Sequence, residues 1–127
     1  MSDQNPLISV IIVSYNTRQM TLECLRTLYA SLDNRVTETW VVDNASSDGT
    51  PAAIGAEFPQ VRLIENRHNV GFGAANNQAM ARARGEYFLL LNSDAFPLPG
   101  AIGALVEYLQ KHPRVAAVGP RLLNRDG

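Results

Sequence analysis

The sequence has one cysteine, Cys24, in 127 residues, so no disulfide within the chain can brace it. A single thiol inside an apolar helical pattern reads as a buried, inert side chain and fits a reducing compartment. Long hydrophobic runs are also missing. The longest, residues 7–13, is interrupted by Ser9, and a bilayer span needs ~20 residues, so the expectation is no membrane span in this chain. The amino end lacks the basic stretch and apolar segment of a secretion signal, which points to a cytoplasmic location. Neither sign of charge is in excess, with 11 basic and 12 acidic side chains. No broad positive field exists to draw nucleic acid or an anionic membrane, and any phosphate must be held locally.

The standard phosphate and catalytic signatures are absent too. There is no Gly-Lys-Ser/Thr loop, nucleophile elbow or zinc-ligand spacing. Gly71-Phe72-Gly73 begins like a dinucleotide fingerprint, but Asn76 stands where its third glycine belongs, and the segment follows the third strand rather than the first. An ordinary NTPase and a Rossmann dehydrogenase are thereby excluded.

What is present is globular: 46% hydrophobic and 18% charged residues, in a length that one core can serve. Residues 8–13 are apolar on both alternating faces, as expected of a strand buried on both sides of a parallel sheet. Leu22, Leu25, Leu28 and Leu32 then repeat at helical spacing behind Asn16 or Thr17 as N-cap, and Trp40, Val41 and Val42 begin a second strand. A helix capped by Thr50, with Pro51 in its first turn, precedes a strand at residues 61–64. Residues 74–84 read as a third helix ended by Gly85 in a left-handed cap, and residues 87–91 as a fourth strand. Residues 100–111 are helical again, with Ala101, Leu105, Val106 and Leu109 facing the core, and residues 115–118 read as a fifth strand. Unbroken alternation predicts an α/β domain with a Rossmann-like, mainly parallel sheet and helices on both faces.

In such sheets ligands bind beyond the carboxyl ends of the strands. The polar clusters that belong there are Ser14-Tyr15-Asn16, Asp43-Asn44, Arg67-His68-Asn69 and Asn92-Ser93-Asp94. Asn, Asp and Ser after a strand are often only turn formers. Tyr15 and Asp43 are harder to explain that way, because a large aromatic and an acid at neighbouring tips suit a nucleotide base. Asp94, between an apolar strand and a Pro-rich turn, suits an oxygen site in which Mg²⁺ or Mn²⁺ bridges diphosphate oxygens. Asp48-Gly49 reads as a turn, His112 as an exposed helix end, Trp40 as a core contact, and Arg82 and Arg84 as a solvated face. Arg67 and His68 read as solvated loop cations.

As a set, ISVIIVSYN (8–16), WVVDNASSDGT (40–50), NVGFGAANN (69–77) and GEYFLLLNSD (85–94) resemble the family 2 inverting glycosyltransferases, whose catalytic domain has the GT-A fold. The resemblance covers almost the whole chain. It implies that Tyr15 and Asn16 line the base pocket, that Asp43 hydrogen-bonds the base with Asn44 beside it, and that Gly71, Gly73 and Asn76 lie over the ribose and diphosphate. Asn92-Ser93-Asp94 takes the place of the family's Asp-x-Asp motif. Asn92 supplies an amide instead of the first acid, leaving Asp94 as the metal ligand. This form, with GFGAANN, is similar to the rhamnosyltransferase-like branch, so the implied donor is dTDP-rhamnose or a UDP-sugar and the acceptor a glycan or lipid-linked sugar.

The implied reaction is displacement at the anomeric carbon with inversion, assisted by metal at the leaving diphosphate and by a carboxylate base on the acceptor. In the resembled family that base belongs to the acceptor-binding half, beyond Gly127, and Asp126 lies too near the end to serve. Residues 1–127 thus read as the truncated donor-binding portion of a longer enzyme at the inner membrane face. A phosphorelay receiver is a poor alternative, since it needs an acidic pair where Ser14-Tyr15-Asn16 stands. A sugar nucleotidyltransferase would need a glycine-rich basic loop after the first strand. A non-catalytic sugar-nucleotide-binding module shares every feature except turnover.

Overall fold

A computed structural model describes residues 5–32 and 35–120, and Asp126 lies outside them. The elements run β1 (Ile8–Ser14), α1 (Arg18–Ser31), β2 (Thr37–Asp43), α2 (Thr50–Glu57), β3 (Arg62–Glu65), α3 (Phe72–Met80), β4 (Tyr87–Asn92) and α4 (Ala101–Lys111). All strand pairs are parallel, and the sheet order is β3-β2-β1-β4. β1 therefore has a neighbour on each side, as its apolar residues on both faces require.

The two faces of β1 seed two cores. Ile8, Val10 and Ile12 pack with Leu22, Leu25 and Leu28 of α1, Ile54 of α2, and Ile102 and Val106 of α4. Ile11 packs on the opposite face with Trp40, Val42, and Ala75 and Ala79 of α3. Alanines at the α3 contact let that short helix lie close to the sheet. Trp40 is a core residue, as expected, but Arg82 is more than a solvated cation: its guanidinium stacks 5.0 Å from the Trp40 ring centre, with Arg62 at 5.6 Å. In α4 the buried face is led by Ile102 and Val106, while Ala101, Leu105 and Leu109 are half-buried. Cys24 is fully buried, and burial, reinforced by the Asp94 charge, pushes its thiol up to about 12. It is the inert thiol its surroundings suggested.

Four local expectations are corrected. Thr50 is the first residue of α2 rather than its cap: Gly49 holds the cap position at φ 80°, and Asp48 accepts from the Thr50 hydroxyl and, at 3.1 Å, from its N–H. The acid outcompetes the hydroxyl as the local acceptor. α3 starts two residues earlier than expected, at Phe72, and ends at Met80. Gly85 caps nothing, because it is needed for a close approach: an added Cβ would lie 2.5 Å from Ser9 N and 2.9 Å from Ile8 C, and would also strike Ser9 Oγ. Residues 115–118 form no strand. β4 ends the sheet among the described residues, and an extended segment without a partner gains no ladder hydrogen bonds.

The sheet is likewise not fully covered. Phe88 and Leu90 pair with Ser9 and Ile11 on the α3 face, but α3 sits over β1 and β2, leaving these two side chains 45% and 49% exposed.

Gly85 belongs to a knot that fastens β4 to the rest of the sheet. Its N–H donates to Ser9 Oγ at 2.7 Å, the Ser9 hydroxyl donates to Glu38, and Glu38 also accepts the Arg84 N–H. Burial raises the Glu38 carboxyl, but these hydrogen bonds, with Arg62 3.6 Å away, outweigh it and hold the group below its ordinary range. Gly85→Ala should cost about 1–3 kcal/mol, the usual penalty for overpacking a closed contact. Urea unfolding reads this directly, and an unchanged midpoint would show that β4 and β1 do not approach as closely as described.

Candidate functional site

The strand order reverses at β1: β2 and β3 lie to one side and β4 to the other. At such a switch point the loops leaving the two central strands part in opposite directions and open a crevice. Here it lies between the tips of β1 and β4, with a volume of about 530 Å³, in the range of small-molecule sites.

Five of the nine residues to which the resemblance gives a site role line it: Tyr15 after β1, Asn44 after β2, Gly71 at the start of α3, and Asn92 and Asp94 after β4. Segments separated by up to about eighty positions are gathered solely by the sheet. Val13, Thr17, Met20, Asn69, Phe72 and Ser93 complete the lining. Tyr15 and Phe72 are more than half exposed, and Met20 is 43% exposed. Large apolar side chains held open around a cleft whose polar lining is amides, hydroxyls and a carboxylate suit a ligand with a flat apolar face and a polar tail.

Asn16, Asp43, Gly73 and Asn76 do not line the crevice, and Asn16, Asp43 and Asn76 are hydrogen-bonded within the loops and helix around it. Asp43 is 1% exposed, and both its carboxylate oxygens accept from Ser46, at 2.9 Å from the N–H and 2.6 Å from the hydroxyl. Ser46 Oγ in turn accepts the Asn16 N–H at 2.9 Å, and Asn16 Oδ1 accepts the Ser47 N–H at 2.8 Å. The loops after β1 and β2 are stitched together by these bonds and by Arg18 N–H, which donates to Asp48 at 3.0 Å. The Thr50 hydroxyl first, then backbone N–H donors including Arg18, outweigh slight burial and hold the Asp48 carboxyl below its usual range. Asp48 is thus part of the scaffold beneath the site, beyond the plain turn its sequence context suggests.

Asn76 is buried and donates to Phe72 O at 3.2 Å, fastening the first turn of α3. Nothing lies within 4 Å of a Cβ added at Gly73, and its φ is not left-handed, so neither packing nor backbone demands glycine there. Gly71 differs: φ 88° at the entry to α3 favours a residue without Cβ.

Asn44, only 2% exposed, links the crevice to the β3–α3 loop. Its Nδ2 donates to Gly71 O at 3.3 Å, and its Oδ1 accepts from Asn66 at 3.0 Å and Val70 N–H at 3.4 Å. Asn66 and Gln78 exchange amide hydrogen bonds of 2.8 and 2.9 Å. These two supports were missed in the sequence; the density of amides from position 66 to 78 was the available sign. Arg67 and His68 are exposed. Asn16 and Ala45 both adopt positive φ, 50° and 67°. For alanine this costs about 1–2 kcal/mol, and such strain gathers where loops are held for a ligand.

Among the described residues no cluster of three His, Cys, Asp or Glu side chains exists to cage a metal. The donor set at Asp94 is a single exposed carboxylate beside the Asn92 amide. That fits a cation arriving with phosphate oxygens, since Mg²⁺-type ions are held by one or two carboxylates plus substrate phosphates and water. It does not fit a structural metal. A second depression, about 640 Å³, opens at the opposite edge of the sheet beside Pro6, Val36 and Arg84, away from these residues. No helix among the described residues is long and apolar enough to cross a membrane.

Comparison with known proteins gives the arrangement a family. The profile of Glycosyl transferase family 2 matches residues 9–127. N-acetylglucosaminyl-diphospho-decaprenol L-rhamnosyltransferase of Mycobacterium tuberculosis is 30% identical over 132 aligned positions, covering 95% of this chain and 43% of that protein. Succinoglycan biosynthesis protein ExoO of Rhizobium meliloti is 31% identical over 106 positions, covering 83% of this chain and 30% of its own length. Among solved structures, the mannosyltransferase PcManGT of Pyrobaculum calidifontis, in complex with GDP-Man and Mn²⁺, superposes with a TM-score of 0.73 at 29% identity, over 84% of this chain and 33% of its own. The chain spans less than half the length of each of these relatives. The switch-point sheet is thus the GT-A fold, and the chain belongs to glycosyl transferase family 2.

Proposed function

We propose that residues 1–127 are the donor-binding portion of an inverting glycosyltransferase that moves a sugar from a nucleoside diphosphate to an acceptor hydroxyl in cell-surface polysaccharide or glycan synthesis. The observation that carries this reading is the crevice between β1 and β4, whose lining brings together exposed Tyr15 and Asp94. Family membership adds to it, and so does a relative solved with GDP-Man and Mn²⁺.

In this reading Tyr15 stacks on the nucleotide base, and Asp43 acts at the base end of the crevice through the loop it holds. Asn92 bonds a ribose or sugar hydroxyl, and Gly71 and Gly73 leave room for the ribose and diphosphate above α3. The open space beside Gly73 supports that last assignment, because the protein itself does not require glycine there. Asp94 would hold Mg²⁺ or Mn²⁺, whose charge would offset that of the leaving diphosphate. The acceptor hydroxyl attacks from the opposite face, and its proton goes to a carboxylate outside residues 1–127. The uncovered Phe88 and Leu90 support further polypeptide packing there.

The donor is dTDP-rhamnose or a UDP-sugar, and the acceptor is a lipid-linked sugar at the cytoplasmic membrane face. The rhamnosyltransferase relative, named for a decaprenol-linked acceptor, supports both choices. A non-catalytic sugar-nucleotide-binding module is the second reading; the single acid in Asn92-Ser93-Asp94 favours it, and turnover in a chain extended past Gly127 would remove it.

Three measurements test the proposal. In calorimetry with dTDP, UDP and GDP, each with and without manganese, the parent chain should bind at least one nucleotide more tightly with metal. Asp94→Ala should bind it with no metal dependence while keeping its unfolding midpoint; metal dependence surviving in that variant would move the cation site elsewhere. Asp43→Ala should weaken binding by about 1–3 kcal/mol, the cost of a buried polar group losing its partner, and should blur the ranking of the three nucleotides. A loss equal for all three would make Asp43 a loop anchor with no part in base choice. Finally, the isolated chain should bind donor yet transfer no sugar, since a positioned base contributes ~10²–10⁴-fold in rate. A nucleotide at ten times its dissociation constant should add about 1.4 kcal/mol of stability, so thermal melting separates a folded, binding, inactive chain from an unfolded one. Acceptor-dependent transfer by these 127 residues would place the base within them.

A further inference from the structure

We infer that Ser93 is a ligand-binding hydroxyl, and that Thr17 is the positioning residue that turns its proton into the crevice. The inference deepens the reading of the crevice as a nucleoside diphosphate site and rests on it.

Thr17 occupies the N-cap position of α1, where a threonine oxygen normally accepts a backbone N–H of the first turn. Here it makes no such bond. Its hydroxyl is engaged in four-membered company instead: it donates to Ser93 Oγ at 3.3 Å and lies 3.0 Å from Thr21 Oγ1 and 3.4 Å from Ser14 Oγ. Ser14 and Thr21 are fully buried and 3.0 Å apart.

Each hydroxyl has one proton to donate. With the Thr17 proton on Ser93, Thr21 must be the donor to Thr17, and Ser14 the donor to Thr21. The chain therefore runs one way, Ser14 to Thr21 to Thr17 to Ser93, and each bond polarises the next. It ends on Ser93, which already accepts from Thr17. The structure shows no hydrogen bond donated by the Ser93 hydroxyl among the described residues, and Ser93 lines the crevice between Asn92 and Asp94.

Having accepted from Thr17, the Ser93 hydroxyl keeps its own proton to give, and the partner for that proton is an acceptor oxygen: a diphosphate oxygen, or a sugar hydroxyl accepting. The contact also crosses the crevice, joining the start of α1 to the tip of β4. The 3.3 Å separation is long for two hydroxyls, so this is the weakest link of the chain.

The test uses calorimetry of the 127-residue chain with dTDP, UDP and GDP in the presence of manganese. Ser93→Ala should weaken the best-bound nucleotide about 5-fold, the value of one hydrogen bond of ordinary strength. Thr17→Val, which keeps the shape and removes the hydroxyl, should cost a similar factor, and Thr17→Ser should restore parental affinity. The double variant Thr17→Val, Ser93→Ala should bind no more weakly than Ser93→Ala alone, because Thr17 acts only through Ser93. A purely structural role for Thr17 would instead lower affinity equally in the Ser93→Ala background, and that result overturns the inference, as does unchanged affinity in Ser93→Ala. Circular dichroism and urea midpoints identify any variant that fails to fold, and Thr17→Ser with Ser93→Ala then carries the comparison. Failure of the parent chain to bind any of the three nucleotides overturns the reading of the crevice and this inference together.

Discussion

Parallel pairing of β1 on both of its edges is the constraint from which the rest of the structure follows. A strand hydrogen-bonded on both sides and apolar on both faces must lie at the centre of a sheet with cover above and below. With β2 and β4 as its two neighbours, the order of winding reverses there, and right-handed crossovers carry α1 and α2 to one face and α3 to the other. The crevice is the gap this reversal leaves. No side chain has to be carved away to make it.

Around that gap the burden of holding shape passes from apolar packing to small polar side chains. Ser14, Thr17, Thr21, Asp43, Asn44, Ser46 and Asn66 bond to one another or to neighbouring loops, so that each loop is fixed by its neighbours and not by a core of its own. Such a scaffold suits a polar ligand: the loops keep their backbone groups satisfied without filling the space between them. It also explains why residues that look like ligand contacts in the sequence can be one step removed. Asp43 is the clearest case, since it sits at a strand tip yet turns both oxygens onto Ser46. Buried carboxylates seek donors, and the nearest ones here are in its own turn.

The elements were legible in the sequence because their signals are local. Apolar alternation marks β1, leucine spacing marks α1, and Pro51 marks the first turn of α2. The strand tips were legible as well, once the alternation placed them on one edge. What misled were signals with two physical meanings. Gly85 follows a helical stretch and so resembles a helix stop, but its lack of a side chain serves a close contact with Ser9 of the neighbouring strand β1. Thr17 resembles a cap, but its hydroxyl faces Ser93. Residues 115–118 carry a strand's composition without a partner strand among the described residues, and composition alone cannot form a ladder.

By itself, then, the sequence determined the alternation of elements, the burial of β1 on both faces, the single core-buried thiol and the set of polar residues at the strand tips, because each depends on residues a few positions apart. Tertiary structure decided which tips share a crevice, that Asp43 turns onto its own loop while Tyr15, Asn44 and Asp94 line the crevice, and that Ser14, Thr21, Thr17 and Ser93 form one chain. These depend on strand order and side-chain direction. Both are set by contacts between segments distant in the chain, which no local pattern records.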